Sequence, residues 1–193
     1  MNKRAFRHIN IRDEGFTLVE LMVTVSILAI LLAIGAPSLR DFLLKQQIAA
    51  DANALASAFR LARSEAIKRS GVVTICPSLA PSDATPACVA NATTDWSTGW
   101  LIFVDYPPTA SGSTGTYEAV DTLIRVEQGI RSGQIKSSDS GKSVSFLASG
   151  ISTDAGASYT ISSSADAKPL FQQCIVVSKQ GRSTSKAGAC TPS

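Results

Sequence analysis

The chain has 193 residues, 45% of them hydrophobic and only 17% charged, enough for one domain with its own core. The formal net charge is +3, and residues 1–15 hold much of the excess: Lys3, Arg4, Arg7 and Arg12 stand against Asp13 and Glu14, which leaves residues 16–193 at +1. A nearly neutral remainder offers no bulk basic charge that would argue for nucleic acid.

Mean hydropathy is +0.15, high for a soluble domain, and the apolar excess is concentrated near the N-terminus. From Phe16 to Pro37 the only ionisable side chain is Glu20. That stretch is long enough to cross a hydrocarbon layer of ~30 Å as a helix. Core helices are rarely apolar on every face over such a distance, so a span is the better reading. Basic residues flanking a first span stay in the cytoplasm, which sends everything after Pro37 across the membrane.

Three kinds of N-terminal segment fit an apolar run behind a basic leader. A secretory signal peptide would be cut after the run, and Ala33-Ile34-Gly35 has the small-x-small form of such a site. Glu20 inside the apolar region and Pro37 just past the cut argue against it. A plain membrane anchor is the second reading.

The third rests on Gly15-Phe16-Thr17-Leu18-Val19-Glu20, which resembles the type IV prepilin signature. The resemblance implies peptidase cleavage between Gly15 and Phe16, N-methylation of Phe16, a glutamate as the fifth mature residue (Glu20) and a helix-kinking proline as the twenty-second (Pro37). It also implies a prepilin peptidase and other major and minor pilins or pseudopilins as partners. The inner membrane would hold the subunit before assembly. A carboxylate inside an apolar span costs roughly 2.5–3.5 kcal/mol and needs a partner. Cleavage would supply one in the new Phe16 amine, which a neighbouring subunit's Glu20 can neutralise. The alternative is an interfacial glutamate that snorkels toward the cytoplasm.

Beyond Pro37 the helical period continues, with Ile48, Ala52, Leu55, Phe59, Ala62 and Ala66 as an apolar stripe. Asp41, Lys45, Asp51, Arg60, Arg63, Glu65 and Lys68 are read as largely occupying other faces, and Gly71 as the stop. One helix kinked near Gly35-Ala36-Pro37 would run to residue 70.

From residue 72 the pattern becomes short β-branched runs: Val72–Cys76, Trp100–Val104, Thr122–Val126, Ser143–Leu147, Tyr159–Ile161 and Cys174–Val177. Pro107 through Gly115, rich in Ser, Thr, Gly and Pro, reads as a mobile hairpin loop. Cys76, Cys88, Cys174 and Cys190 form two local pairs in sequence, and an even count beyond a span suggests disulfides. Three connectivities are open, and Cys76–Cys88 with Cys174–Cys190 closes the shortest loops. The spacings are too long for paired zinc ligands, and the only histidine, His8, lies in the leader; neither a metal nor another cofactor is expected.

The head carries a further resemblance. Trp96-Ser97-Thr98-Gly99-Trp100-Leu101-Ile102-Phe103-Val104-Asp105 looks like the W-x-x-G-W-hydrophobic-F-x-D segment of the branch that holds type II secretion pseudopilin H and the FimT and FimU minor pilins. Phe146-Leu147-Ala148-Ser149-Gly150 is similar to its F-x-x-x-G segment, and Val176 through Arg182 to its closing strand and Gly-Arg turn. The resemblance implies an α+β, type IV pilin-like fold. It would comprise a leader (1–15), a membrane and filament-core half-helix (16–37), a head-packing half-helix (38–70) and a β-rich head (71–193). The head would be an antiparallel sheet or a small sandwich.

Residues 16–193 contain no histidine, and the cysteines are committed to pairing, which removes the usual general base and nucleophile pairs. Asp105, Glu118 and Asp121 have the spacing of turns and solvated edges rather than of a glycosidase pair. No catalytic residue is expected. The resemblance implies a structural tip or initiation subunit of a periplasmic pseudopilus or surface pilus. The alternative it carries is a FimT-like DNA-binding minor pilin for natural transformation, acting through Lys179, Arg182 and Lys186. Thr184 stands where that pattern has a second arginine, no aromatic lies nearby for base stacking, and a solvated basic hairpin is the simpler reading.

Overall fold

A computed structural model describes residues 15–89, 95–106, 115–130, 133–138, 143–153, 156–163 and 171–190. The expected leader, except for Gly15, and the expected loop over 107–115, except for Gly115, lie outside the described residues. The chain divides into two compact units, residues 1–42 and 43–193.

Helix α1 runs Leu18–Arg69 with Pro37 inside it. Thr17 caps its start, accepting the Glu20 N–H on Oγ1 at 3.2 Å. Glu20 is the third helical residue, the place at which a Thr-x-x-Glu capping box puts its acid. In the first unit the large apolar side chains, from Phe16 through Phe42, are all exposed. The buried residues of α1 begin at Ile48 and continue through Ala52, Leu55, Ala56, Ala58, Phe59, Ala62 and Ala66.

The helix ends one residue earlier than a glycine stop would place it. Ser70, at φ 51°, takes the left-handed seat. The Gly71 N–H bonds to the Ala66 carbonyl and the Ser70 N–H to that of Ile67, the double closure of a Schellman motif. Gly71 then leads directly into the first strand.

Eight strands follow among the described residues: β1 Val72–Pro77, β2 Gly99–Asp105, β3 Thr122–Gln128, β4 Gln134–Ser137, β5 Val144–Phe146, β6 Ser158–Ser162, β7 Gln172–Val177 and β8 Ser183–Ala187. They form two antiparallel four-stranded sheets, ordered β3-β2-β1-β5 and β4-β6-β7-β8. The six strands legible in the β-branched runs are all present, with ends moved by a residue or two. β4 and β8 are additional.

One core joins α1 to both sheets. Val73 and Ile75 of β1, Trp100, Ile102 and Val104 of β2, Ile135 of β4, Phe146 of β5, Tyr159 and Ile161 of β6 and Ile175 and Val177 of β7 meet the helix stripe. Strand alternation sends Cys76, Leu101 and Phe103 to the opposite face of the first sheet. There they pack with Cys88, Tyr117, Leu123 and Val126 in a second, smaller core. β2 is consequently buried along its whole length, which its uninterrupted apolar run reflects.

Asp51 departs from the sequence reading. It is half-buried on the stripe side of α1, its Oδ2 enclosed without a hydrogen-bond partner, and burial pushes its carboxyl above the ordinary range.

Candidate functional site

The residues singled out in the sequence do not gather into one site. Gly15 and Phe16 precede α1, and Phe16 is 82% exposed. Glu20 is likewise exposed at the first turn, where a negative charge complements the helix dipole. An 18-residue window of this helix has a mean hydropathy of 2.5, and none of it is buried.

Both cysteine pairs are bridged. Cys76–Cys88 has Cα atoms 5.6 Å apart and Cys174–Cys190 4.9 Å apart, and no described cysteine is free. The first ties the segment after β1 to the second core. The second fastens the chain beyond β8 to β7, with the Cys190 N–H donating to Thr160 Oγ1 at 3.1 Å. Loops of 12 and 16 residues are each worth roughly 3 kcal/mol in the chain-entropy account.

The Trp96–Asp105 segment is core and turn. Trp96 and Trp100 are buried, and Trp96 stacks edge-on to Tyr159 at 5.1 Å. Gly99 lies at φ 131° where a Cβ would meet the Glu127 carbonyl and the Pro81 ring. Asp105, 4% exposed, accepts hydrogen bonds from Thr74 Oγ1 and the Gly115 N–H, both at 2.8 Å. Thr74 in turn contacts Ser145 Oγ at 2.7 Å. Asp121 accepts the N–H groups of Tyr106 and Glu118. These carboxylates hold turns together, and among the described residues no cluster of His, Cys, Asp and Glu could hold a metal ion.

Burial raises the Asp105 carboxyl above its ordinary range; the bonds from Gly115 and Thr74 oppose the shift, and the charges of Asp121 and Glu118 add to it. The folded state then holds this proton more tightly than the unfolded chain does. Its contribution is full below the unfolded value near 4 and declines as pH rises through the raised one. Glu65 has the opposite sign: the Arg69 hydrogen bond, followed by the charges of Lys68 and Arg69, lowers its carboxyl. Asp105→Asn should remove the Asp105 component alone. The stability of wild type relative to this variant is expected to fall as pH rises above about 4, read from denaturant midpoints. A difference that stays flat or rises with pH would refute the assignment.

A groove at the β7–β8 turn was not legible as a site in the sequence. β7 and β8 are joined through a tight turn in which the Gly181 N–H donates to the Ser178 carbonyl and the Ser178 N–H to that of Arg182. Gly181 sits at φ 74° and Gly150, in the turn after β5, at φ 77°. Both lie against Arg63, whose Nε donates to the Gly150 carbonyl at 3.0 Å. A Cβ on Gly181 would collide with that same carbonyl, so the close approach requires glycine. Around this junction Arg60, Arg63, Ser64, Ile67, Gly181, Arg182 and Ser183 line a groove of about 370 Å³.

Arg182 therefore lines a groove with two helix arginines, and neither of the cations expected beside it does so. Lys179 is exposed in the turn and does not line the groove. On β8, Ser183 reaches back to the Ala56 carbonyl, so strand alternation puts Lys186 on the other face of the sheet. Of Lys179, Arg182 and Lys186, Arg182 alone lines this groove.

An apolar N-terminal helix bearing a Gly-Phe junction and a glutamate at its first turn, continuing into a disulfide-stapled antiparallel β head, defines a type IV pilin-like protein. Residues 51–181 match the model of the type II transport protein GspH family and residues 11–36 that of the prokaryotic N-terminal methylation motif; the chain belongs to the GspH family. It is 30% identical to the fimbrial protein EcpC of Eikenella corrodens over 162 residues, 84% of this chain and 90% of that protein. Its fold is similar to that of the type IV minor pilin FimU of Pseudomonas aeruginosa in one crystal form, with a TM-score of 0.53 at 20% identity over 75% of this chain and 92% of FimU. A second FimU crystal form gives 0.49 at 19% identity over 71% and 90%.

Proposed function

We propose that the protein is a non-catalytic minor subunit of a pilus or pseudopilus filament, acting in the complex that starts or caps it. The carrying observation is the exposed apolar surface of residues 16–43. A helix this apolar on all sides must be covered by something, and lipid and the helices of neighbouring subunits are both apolar enough to do so. The head buries its own core and needs no such cover. In this reading a prepilin peptidase releases residues 1–15, Phe16 becomes the methylated N-terminus, and the bacterial inner membrane holds the subunit with its head in the periplasm until assembly. The residues that pair as disulfides suit that compartment.

N-terminal sequencing and intact-mass measurement of membrane-extracted protein test the reading. The expected result is a mature chain that begins at methylated Phe16. A start near Ala36 would identify a secretory signal peptide and remove the basis for a filament subunit.

A DNA-binding head is the second reading, favoured only by the groove that Arg60, Arg63 and Arg182 line together. The net charge of +1 on residues 16–193 counts against it, since polyanion binders carry a basic excess.

A further inference from the structure

We propose that the groove between α1 and the β7–β8 turn is a carboxylate-binding interface, seating an acidic side chain of a neighbouring pilin-fold subunit. This rests on the filament reading and names the surface by which the head would engage its neighbour.

Three arginines, Arg60, Arg63 and Arg182, line a groove of about 370 Å³. Among the described residues the ion pairs are Lys68–Glu65, Arg69–Glu65 and Arg125–Glu127, so none of the three groove arginines is neutralised. Like charges gathered without a counter-charge repel one another, and the fold nevertheless secures the arrangement. Arg63 is anchored through Nε to the Gly150 carbonyl and flanked by two glycines in left-handed conformations. One arginine is thus pre-set, while Arg60 and Arg182 are exposed and able to close on a ligand. Ser64 and Ser183 line the same groove with their hydroxyls turned to the Leu61 and Ala56 carbonyls, which leaves the arginines as its donors, and Ile67 gives it an apolar side. Planar forked donors around a small concavity suit a planar carboxylate, which accepts two parallel N–H bonds.

The occupant is a discrete carboxylate rather than a polyanion on two grounds. The cations that would extend a basic track are dispersed, with Lys186 on the other face of its sheet. Residues 16–193 at +1 also generate no field to draw in a long phosphate chain. A compact charge cluster on a near-neutral protein acts at contact range, fixing the register of an interface. In a filament, the acids available at that range belong to adjoining heads.

The test uses the full chain in filament-forming cells, with a photo-crosslinking amino acid at Ser64. Crosslinked peptides from purified filaments are expected to map to an Asp- or Glu-bearing surface of another pilin-fold head. The Arg60→Glu/Arg182→Glu double variant should lower the filament-borne fraction about tenfold, the scale of losing a close charge pair across an interface. Its amount of disulfide-bonded protein in the membrane should not change, because both side chains are exposed and neither has a side-chain ion-pair partner among the described residues to lose. If wild type is present in filaments and the double variant is equally present, the inference falls and the subunit reading stands. A crosslink confined to a surface without acids has the same meaning. If wild type itself is missing from filaments, the subunit reading falls first. Tight binding of a fluorescent duplex oligonucleotide by the micelle-held chain, lost in the double variant, would assign the groove to DNA instead.

Discussion

Phe59→Ala is expected to destabilise the head by about 3–5 kcal/mol, a large part of the 5–15 kcal/mol that holds a typical domain together. The ring is 1% exposed at the middle of the α1 stripe. Its centroid lies 5.1 Å from that of Tyr159 on β6 and 6.3 Å from that of Trp96, which precedes β2. Trp96 itself is tied across to the second sheet, its backbone N–H donating to the Ile135 carbonyl at 2.9 Å. One side chain of the helix therefore meets the aromatic contact at which both sheets come together. Truncation removes the contact and leaves a cavity that three separate elements cannot collapse to fill. Denaturant midpoints read by tryptophan fluorescence would show the loss, with Leu79→Ala, at a site 65% exposed, as the control expected to stay near wild type. A Phe59→Ala cost below about 1 kcal/mol would mean that the sheets and helix are held elsewhere.

What could be read from the sequence followed the strength of the local pattern. The stripe from Ile48 to Ala66 and most of the β-branched runs are signals of burial, and burial is what the fold imposes on them, with β3 at a sheet edge the exception. β8 carries none: Ser183-Thr184-Ser185-Lys186-Ala187 has no large apolar side chain, and its strand exists because β7 offers a free edge with Val177 opposite Ser183 and Gln173 opposite Ala187. β4 has only Ile135 to mark it, a single residue in a run of four. Ser70 shows the limit of glycine as punctuation, since the residue beside the glycine took the left-handed conformation.

The groove was beyond reach for another reason. Arg60 and Arg63 looked like the solvated side of an amphipathic helix, and nothing local says that a turn more than a hundred residues later will close over them. The available signals were the Gly181-Arg182 turn and Gly150, two glycines in segments otherwise built for strands. Only the packing of the β7–β8 hairpin beside α1 shows that both face Arg63.

Glu20→Ala is expected to leave the amount of membrane-inserted protein unchanged or raised and to reduce its incorporation into filaments by more than tenfold. Insertion should not suffer, because a carboxylate in an apolar span costs roughly 2.5–3.5 kcal/mol on insertion scales. Two losses then compete to explain the assembly defect. The residue stands at the third position of α1 behind the Thr17 cap, where a capping box and the helix dipole together contribute on the order of 1 kcal/mol. It is also the only charge between Phe16 and Pro37 able to meet the amine that cleavage would create on a neighbouring Phe16. Glu20→Gln separates the two. Glutamine keeps the length and the capping capacity of the side chain but has no charge to offer an ammonium group. Should capping be the cause, the glutamine variant would assemble as wild type does. If the charge pair is the cause, glutamine should be as defective as alanine, because a buried ammonium left without its partner costs several kcal/mol, far more than a frayed helix end. Quantifying each variant in membranes and in purified filaments reads both steps at once. Alanine and glutamine variants that both assemble normally would remove Glu20 from the assembly mechanism.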